Sequence, residues 1–179
     1  MKYLRRIVWY AVSRLFLVCT VLGLTVVVFY YAMNVTNIYV VLKDGMARRA
    51  QTVMMMEDGS QLKKYFSPAF IDRDPALQTV SAKSSPYADY NIRGIDHRLE
   101  IGFLWVWPWR DEVNVDVTER IPRIDGRAKG STAEALVQAG GSAALYPPKW
   151  QGARYRAKLR KENDSWHIVS LTLQQVLND

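Results

Sequence analysis

Residues 15–33 read LFLVCTVLGLTVVVFYYAM, an unbroken apolar run near the amino terminus of a 179-residue chain. At about 1.5 Å per helical residue, the run is roughly 28 Å long, close to the ~30 Å hydrocarbon thickness of a bilayer. An apolar helix of this length without a charged residue is typical of a membrane span. The sequence therefore predicts one transmembrane helix over residues 15–33.

The flanking charges predict the orientation of this helix. Residues 1–14 contain four basic and no acidic side chains, whereas the first charge after residue 33 is Lys43. Because basic flanks remain in the cytoplasm, we expect a cytoplasmic flank over 1–14 and an extracytoplasmic C-terminal domain of a single-pass cell-membrane protein. Cleavage is not expected, because no small-x-small site follows the run. Lipidation at Cys19 is not expected either, because the apolar run continues beyond it.

The chain after the run has the composition of one folded domain. Four of the 24 basic residues belong to the flank, which leaves 20 basic and 17 acidic residues and a net charge of +3. This balance does not require nucleic acid as a partner. The single cysteine lies in the predicted span, so the domain has no disulfide framework and no thiolate metal site. The sequence carries no phosphate loop, metal-ligand spacing or nucleophile elbow. We therefore expect no cofactor, no small-molecule substrate and no catalysis.

Helical periodicity dominates the first part of the domain. Residues 34–56 have apolar side chains at three- and four-residue steps, which predicts a membrane-proximal helix that either continues the span or bends at Asn34. The extracytoplasmic domain proper is expected over 57–179. Ser60 is expected to cap a short helix over 61–66, and a further turn is expected to end before Pro75.

A period of two begins near residue 89 and predicts antiparallel strands. Residues 99–107 are apolar on both sides, as in a central strand, whereas 113–118 alternate between valine and polar side chains. Two further strands around a turn at 162–164 predict a hairpin. Residues 126–148 form a long Gly/Ala/Ser-rich excursion with a capping box at Ser131-Thr132-Ala133-Glu134. That excursion is expected to be either a mobile insertion or a partner-docking loop.

Helices followed by long strands and a closing hairpin resemble the cone-shaped α+β fold of the nuclear transport factor 2 superfamily. The segments that carry the resemblance are LKKYFSPAF at 62–70 and YRAKLRKENDSWHI at 155–168. An amino-terminal span before such a domain is similar to the VirB-type and Tcp-type subunits of conjugation and type IV secretion channels, and to sporulation-channel components. The resemblance implies helices packed on a curved antiparallel sheet, and a structural, oligomer-forming subunit without catalysis.

A row of aromatic residues is the first candidate interaction site. Four alternate side chains lie on one face of the predicted strand: Phe103, Trp105, Trp107 and Trp109. One interpretation packs them into the core beneath the helices. The other exposes Trp107 and Trp109 as an anchor for a partner subunit or for lipid headgroups. Trp150 could join either surface.

A basic stripe is the second candidate site. Alternation places four basic side chains on one strand face: Arg154, Arg156, Lys158 and Arg160. One interpretation is a solvated face with cross-strand partners, for which Glu112, Asp116 and Glu119 are the candidates. The other is an interface with an acidic partner, anionic lipid or a wall polymer.

Histidines give a weaker chemical signal. His97 and His167 lie in predicted strands, and structural or exposed roles are expected for both. Asp96 and His97 could act as a catalytic base pair only if both faced inward, which adjacent strand residues do not do.

The sequence thus favours a non-catalytic structural or docking subunit of an envelope-spanning assembly of the secretion, conjugation or sporulation type. Its expected partners are the lipid bilayer, further copies of itself and other membrane-complex subunits. The alternative is an anchored domain, binding small molecules or wall ligands or acting as an enzyme, that uses the interior of the cone. A pocket where Tyr65, Asp72 or His97 converge would favour that alternative.

Overall fold

The computed structural model describes residues 2–177 of an α+β protein. Met1 and residues 178–179, which belong to the predicted ranges 1–14 and 57–179, lie outside this description. The helices are α1 (Lys2–Met55), α2 (Pro68–Ile71), α3 (Pro75–Ser81) and α4 (Gly130–Gly140), with 3-10 turns at Gly59–Lys64 and Ser142–Leu145. The strands are β1 (Tyr90–Ile101), β2 (Glu112–Ala128), β3 (Ala153–Glu162) and β4 (Ser165–Val176).

Helix α1 joins the predicted span and the predicted membrane-proximal helix without a break at Asn34. Its amino-terminal half is long and apolar enough to cross a membrane, and most of the large apolar side chains over residues 15–33 are exposed. Its carboxyl-terminal half is part of the domain core. Buried side chains recur there at three- and four-residue steps: Ile38, Leu42, Met46, Ala50, Val53 and Met54.

The four strands form an antiparallel sheet in the order β1-β2-β3-β4, whose inner face packs against α1. The predicted hairpin is present as β3 and β4, joined at Asn163 and Asp164, which both have positive φ. Such a turn matches the right-handed twist of the strands, and Asn and Asp tolerate this backbone conformation. The inner face carries Val115, Val117, Ala157, Leu159 and Ile168, all almost completely buried.

The helix caps differ from those predicted. Asp58, not Ser60, caps the first 3-10 turn, and its side chain accepts a hydrogen bond from the Ser60 backbone N–H. Asp74 not only ends the preceding turn but also caps α3, which the sequence did not predict. The residue before proline avoids the helical region, whereas proline suits the first helical position. One Asp-Pro pair therefore ends one helix and begins the next.

The predicted central strand over 99–107 is wrong. Strand β1 ends at Ile101 and lies at the sheet edge. A Cβ on Gly102 would lie 3.0 Å from the Asp116 carbonyl oxygen, so the chain passes close to β2 where it leaves the sheet. The following segment runs beside α1, where the Tyr31 hydroxyl donates to the Leu104 carbonyl. Its apolar pattern on both sides therefore does not reflect two faces of a sheet.

The excursion over 126–148 is folded. It contains the end of β2, the 11-residue helix α4 and the second 3-10 turn. The predicted capping box is wrong, because Lys129 occupies the N-cap without a side-chain hydrogen bond. The Tyr90 hydroxyl donates to the Ala144 carbonyl at 3.0 Å, and Lys129 Nζ donates to the Ala88 carbonyl at 2.6 Å. These bonds attach the excursion to the first residues of β1.

The contact between α1 and the sheet yields a prediction at Gly45. An added Cβ would lie 2.9 Å from Tyr65 Cβ and 3.3 Å from Ile168 Cδ1. We predict that Gly45→Ala lowers the free energy of unfolding. Overpacking costs about 1–3 kcal/mol, whereas Ala gains only about 1 kcal/mol over Gly in a helix. Thermal unfolding of the full chain in detergent micelles measures the change.

Gly23→Ala is the matched control, because it lies in the same helix and no atom of the described residues comes within 4 Å of its added Cβ. Its unfolding temperature should be unchanged or higher. Equal responses of the two variants would contradict the close packing of α1 on the sheet.

Candidate functional site

The four aromatic side chains at 103, 105, 107 and 109, here called the aromatic ladder, point away from the core. Their exposed fractions are 88% for Phe103, 52% for Trp105, 41% for Trp107 and 67% for Trp109. The Trp105 and Trp107 rings meet edge to face at 5.3 Å, and the Trp107 and Trp109 rings stack at 5.1 Å. The intervening Val106 is buried instead. The expectation that these aromatics fill the core is wrong, and their role as an anchor stays a hypothesis.

Helix α1 holds the aromatic ladder in place. The Tyr31 ring lies 5.0 Å from the Trp105 ring, and its hydroxyl donates to the Leu104 carbonyl at 3.3 Å. One helical turn later, Asn34 Nδ2 donates to the Pro108 carbonyl at 3.5 Å. Asn34 Oδ1 also accepts from Trp166 Nε1 on β4 at 3.5 Å. The aromatic ladder is therefore tied to residues 31–34, where the long apolar run ends.

Trp150 belongs to a different part of the molecule. It is half-buried, and its ring stacks at 6.4 Å on that of Tyr87. Tyr87 is itself buried, and burial raises the pKa of its hydroxyl to about 12. Trp150 therefore packs with the core rather than joining the other three candidate tryptophans.

The basic stripe lies on the outer face of the sheet and is largely paired with acidic residues of β2. Arg156 donates to both carboxylate oxygens of Asp116 at 2.8 and 3.2 Å. Lys158 and Arg160 both contact Glu112, at 2.9 and 2.7 Å. The hydrogen bond from Arg156 lowers the pKa of Asp116, and those from Lys158 and then Arg160 lower the pKa of Glu112. The predicted cross-strand pairs are confirmed for these two carboxylates.

Glu119, the third predicted partner of the stripe, lies on the opposite face. It follows Val115 and Val117 in the alternation of β2, so its side chain points inward and is completely buried. Its Oε1 lies 3.0 Å from Nε2 of His97, whose side chain is also buried. The pairing of Glu119 with the basic stripe was therefore a wrong prediction.

Asp96 and His97 point to opposite faces of β1. The Asp96 carboxylate is exposed and accepts hydrogen bonds from Arg98, the shortest at 2.7 Å. These hydrogen bonds lower the pKa of Asp96. His97 faces inward, next to an irregularity in the pairing of β1 with β2. The hypothesis of an inward-facing Asp96–His97 base pair is therefore wrong.

A buried ion pair joins Arg49 and Asp74, and the sequence pattern does not predict it. Arg49 Nε and Nη2 donate to the two oxygens of Asp74 at 2.5 and 3.1 Å, and both side chains are buried. Burial acts to lower the pKa of Arg49, but the hydrogen bond and charge of Asp74 outweigh it and raise the value. Tyr155 lies beside this pair, and burial raises the pKa of its hydroxyl. Arg49 lies three residues after Met46 and four before Val53, so the helical repeat places it on the buried face of α1.

Arg49 and Asp74 line a cleft of about 520 Å³ together with the α2–α3 segment and strands β3 and β4. Its walls include Phe70, Arg73 and Leu171. Tyr65, Asp72 and His97 are not among the lining residues, so this is not the pocket that the sequence had suggested. Within residues 2–177, no group of three or more His, Cys, Asp or Glu side chains is arranged to hold a metal ion.

Comparison of the chain with protein-family models, with curated proteins and with solved structures gives no match. The resemblance to the nuclear transport factor 2 superfamily therefore stays a prediction. Three features of the chain itself are candidates for a functional role: the aromatic ladder, the basic stripe and the cleft beside Arg49 and Asp74.

The buried ion pair gives a stability prediction. Asp74→Asn should lower the free energy of unfolding by ~3–5 kcal/mol, because it removes the hydrogen-bonded counter-ion of the buried Arg49 charge. The amide oxygen of Asn can still cap α3, so the loss reports the ion pair rather than the cap. Denaturant titration of the full chain in micelles measures it.

Asp72→Asn removes an exposed carboxylate two residues earlier and serves as the control. Its effect should stay within ~0.5 kcal/mol, as for most surface substitutions. Similar losses in the two variants would show that Asp74 does not balance a buried charge.

Proposed function

We propose that this protein is a non-catalytic, single-pass membrane subunit whose extracytoplasmic α+β domain docks other subunits of a membrane assembly. Its amino-terminal flank faces the cytoplasm, as the basic residues before the apolar run favour. The observation that carries the proposal is the continuity of α1, a single helix from Lys2 to Met55.

The two halves of α1 have opposite environments. Over residues 15–33 most of its large apolar side chains are exposed. Their exposed fractions run from 46% for Met33 to 73% for Phe16. Exposing so much contiguous apolar surface to water is unfavourable, whereas a bilayer solvates it. From Ile38 onward one face of the same helix is buried against the sheet. One half therefore suits lipid and the other holds the domain together.

This arrangement favours a positional role. A domain built on the end of a spanning helix is held at a fixed height and tilt, because no flexible linker separates the two. Confinement to one membrane raises the effective concentration of partners in the same plane, so weak contacts become sufficient for assembly. A fixed orientation also presents the same domain face to every neighbour.

The outer sheet face is the proposed docking surface. Its β2–β3 part carries four basic side chains, at 154, 156, 158 and 160, against the two acidic ones of Glu112 and Asp116, an excess of two positive charges. Cross-strand pairs keep the long side chains ordered, and the excess charge favours an acidic partner. Neighbouring copies and other membrane subunits are the partners we propose.

The proposed type of assembly rests on the resemblance to the nuclear transport factor 2 superfamily. A cone-shaped domain of that type on an amino-terminal span is similar to subunits of conjugation and type IV secretion channels. We therefore propose a channel-type assembly of the secretion, conjugation or sporulation class.

An anchored binding domain is the second candidate. The cleft beside Phe70 and Leu171 combines apolar walls with polar groups of Arg73, Tyr155 and Ser170, as small-molecule sites often do. Arg49 also lines the cleft, and its Nη1 has no hydrogen-bond partner among residues 2–177. That observation keeps a ligand-binding role as the alternative to docking.

Charge substitutions on the outer face test the docking proposal. In native membranes extracted with mild detergent, the wild-type chain should migrate on native gels as a species larger than its monomer. The reversal Arg156→Glu with Lys158→Glu should dissociate that species, because it removes the positive excess. Migration of the wild-type chain as a monomer would contradict the proposed function.

The exchange Asp116→Arg with Arg156→Asp is the matched control for stability. It restores the cross-strand pair while moving the positive charge from β3 to β2, so the fold should keep its thermal stability. Retention of the large species in the exchange variant, with its loss in the reversal, indicates that net charge guides docking. Retention in both would exclude the stripe as the interface.

A further inference from the structure

We infer that the aromatic ladder is a second membrane contact, which inserts into the lipid headgroup region beside the point where α1 leaves the bilayer. The inference rests on the proposed span. It assigns one ligand, the lipids of the extracytoplasmic leaflet, to residues that the docking proposal does not use.

The position of the aromatic ladder along α1 is the first support. Tyr31 contacts Trp105 and Leu104, and Asn34 contacts Pro108. Residues 31–34 mark the end of the apolar run, so they lie at the membrane–water boundary if 15–33 crosses the hydrocarbon core. The aromatic ladder lies at the same level, because these contacts tie it laterally to the helix.

The chemistry of the aromatic ladder is the second support. Three indole rings and one phenyl ring are exposed. The indole rings contact one another, edge to face between Trp105 and Trp107 and stacked between Trp107 and Trp109. Tryptophan and tyrosine concentrate at bilayer interfaces, where the apolar ring contacts lipid and the polar group contacts headgroups or water. In water, a contiguous apolar patch of this kind is unfavourable.

Continuity with the exposed surface of α1 favours lipid over a protein partner. Val28 and Leu24 lie three and seven residues before Tyr31, on the same side of the helix, and both are exposed. The aromatic ladder thus extends an apolar surface that a bilayer already covers in the proposed orientation. A partner protein at this height would have to displace lipid from both surfaces.

The backbone of the aromatic ladder limits its depth. Residues 103–107 belong to no strand or helix, so their N–H and C=O groups are not paired as they would be within a sheet. Such groups are not tolerated in hydrocarbon but are solvated among headgroups. The rings therefore reach the interface without crossing it. A single spanning helix leaves the domain free to rotate about the axis of α1. The aromatic ladder, as a second membrane contact, fixes that rotation.

Spin-label accessibility in a cysteine-free background tests this inference. Cys19 is the only cysteine, so Cys19→Ser allows one nitroxide at a chosen position of the full chain. Labels at Phe103→Cys and Arg110→Cys probe the aromatic ladder, and the second leaves all four rings intact. The protein is reconstituted into vesicles of phosphatidylcholine and phosphatidylglycerol, and collision rates with oxygen and with an aqueous nickel chelate are measured.

Two reference labels make the outcomes distinguishable. Val28→Cys lies in the proposed span. Val137→Cys lies on α4, and the segment that contains α4 is attached to Tyr90 at the start of β1. The aromatic ladder follows the other end of this strand, and 12 strand residues separate the two ends by about 36 Å. We expect nickel collisions at 103 and 110 to be several-fold fewer than at 137, with oxygen collisions between those at 137 and 28.

Nickel collisions at 103 and 110 equal to those at 137 would overturn the inference, and protection from both reagents would indicate a protein contact instead. Neither result affects the span if position 28 is accessible to oxygen and shielded from nickel. Frequent nickel collisions at position 28 would overturn the proposed span and, with it, this inference.

Discussion

The structure depends on one constraint, which is that a single α-helix carries both the long exposed apolar segment and the central element of the domain core. Side chains of α1 such as Leu42 and Met46 are completely buried against the sheet, while most of the large apolar side chains before Asn34 are exposed. An α-helix satisfies its own backbone hydrogen bonds, so it can pass from lipid to a protein core without interruption. The orientation of the sheet follows from that of the helix.

The core that forms around α1 contains charged groups whose pairing is as specific as the apolar packing. Arg49 forms a buried ion pair with Asp74 that joins α1 to the start of α3, and Glu119 contacts His97 and joins β2 to β1. Buried ion pairs of this kind often contribute little net stability, but removing one partner is costly. They therefore act mainly to select one arrangement of α1, α3 and the sheet. The outer face uses exposed pairs instead, which salt screens.

Periodicity predicted the elements that depend on local pattern and failed where tertiary contacts decide. Helical repeats and strand alternation together predicted the α+β class. Alternation also predicted the hairpin around 163–164 and the pairing of Glu112 and Asp116 with the basic stripe. Alternation also places Glu119 on the face of the β2 valines, although its charge suggests a pair with the basic stripe. Residues 102–107 have the pattern of a buried strand, and only the close approach of Gly102 to Asp116 shows where the strand ends. The Arg49–Asp74 pair spans 25 residues, a distance over which no sequence pattern operates.

The continuity of α1 across residue 34 can be measured directly by electron–electron resonance between two nitroxides. Leu22→Cys and Val40→Cys, in a Cys19→Ser chain in lipid nanodiscs, place labels at exposed positions on either side of the proposed membrane boundary. They are 18 residues and about five helical turns apart, so they share a face and their backbones are separated by about 27 Å. One narrow distance distribution near that value is the expected result. A broad or shorter distribution would show a hinge at Asn34 and contradict the rigid link between membrane and domain.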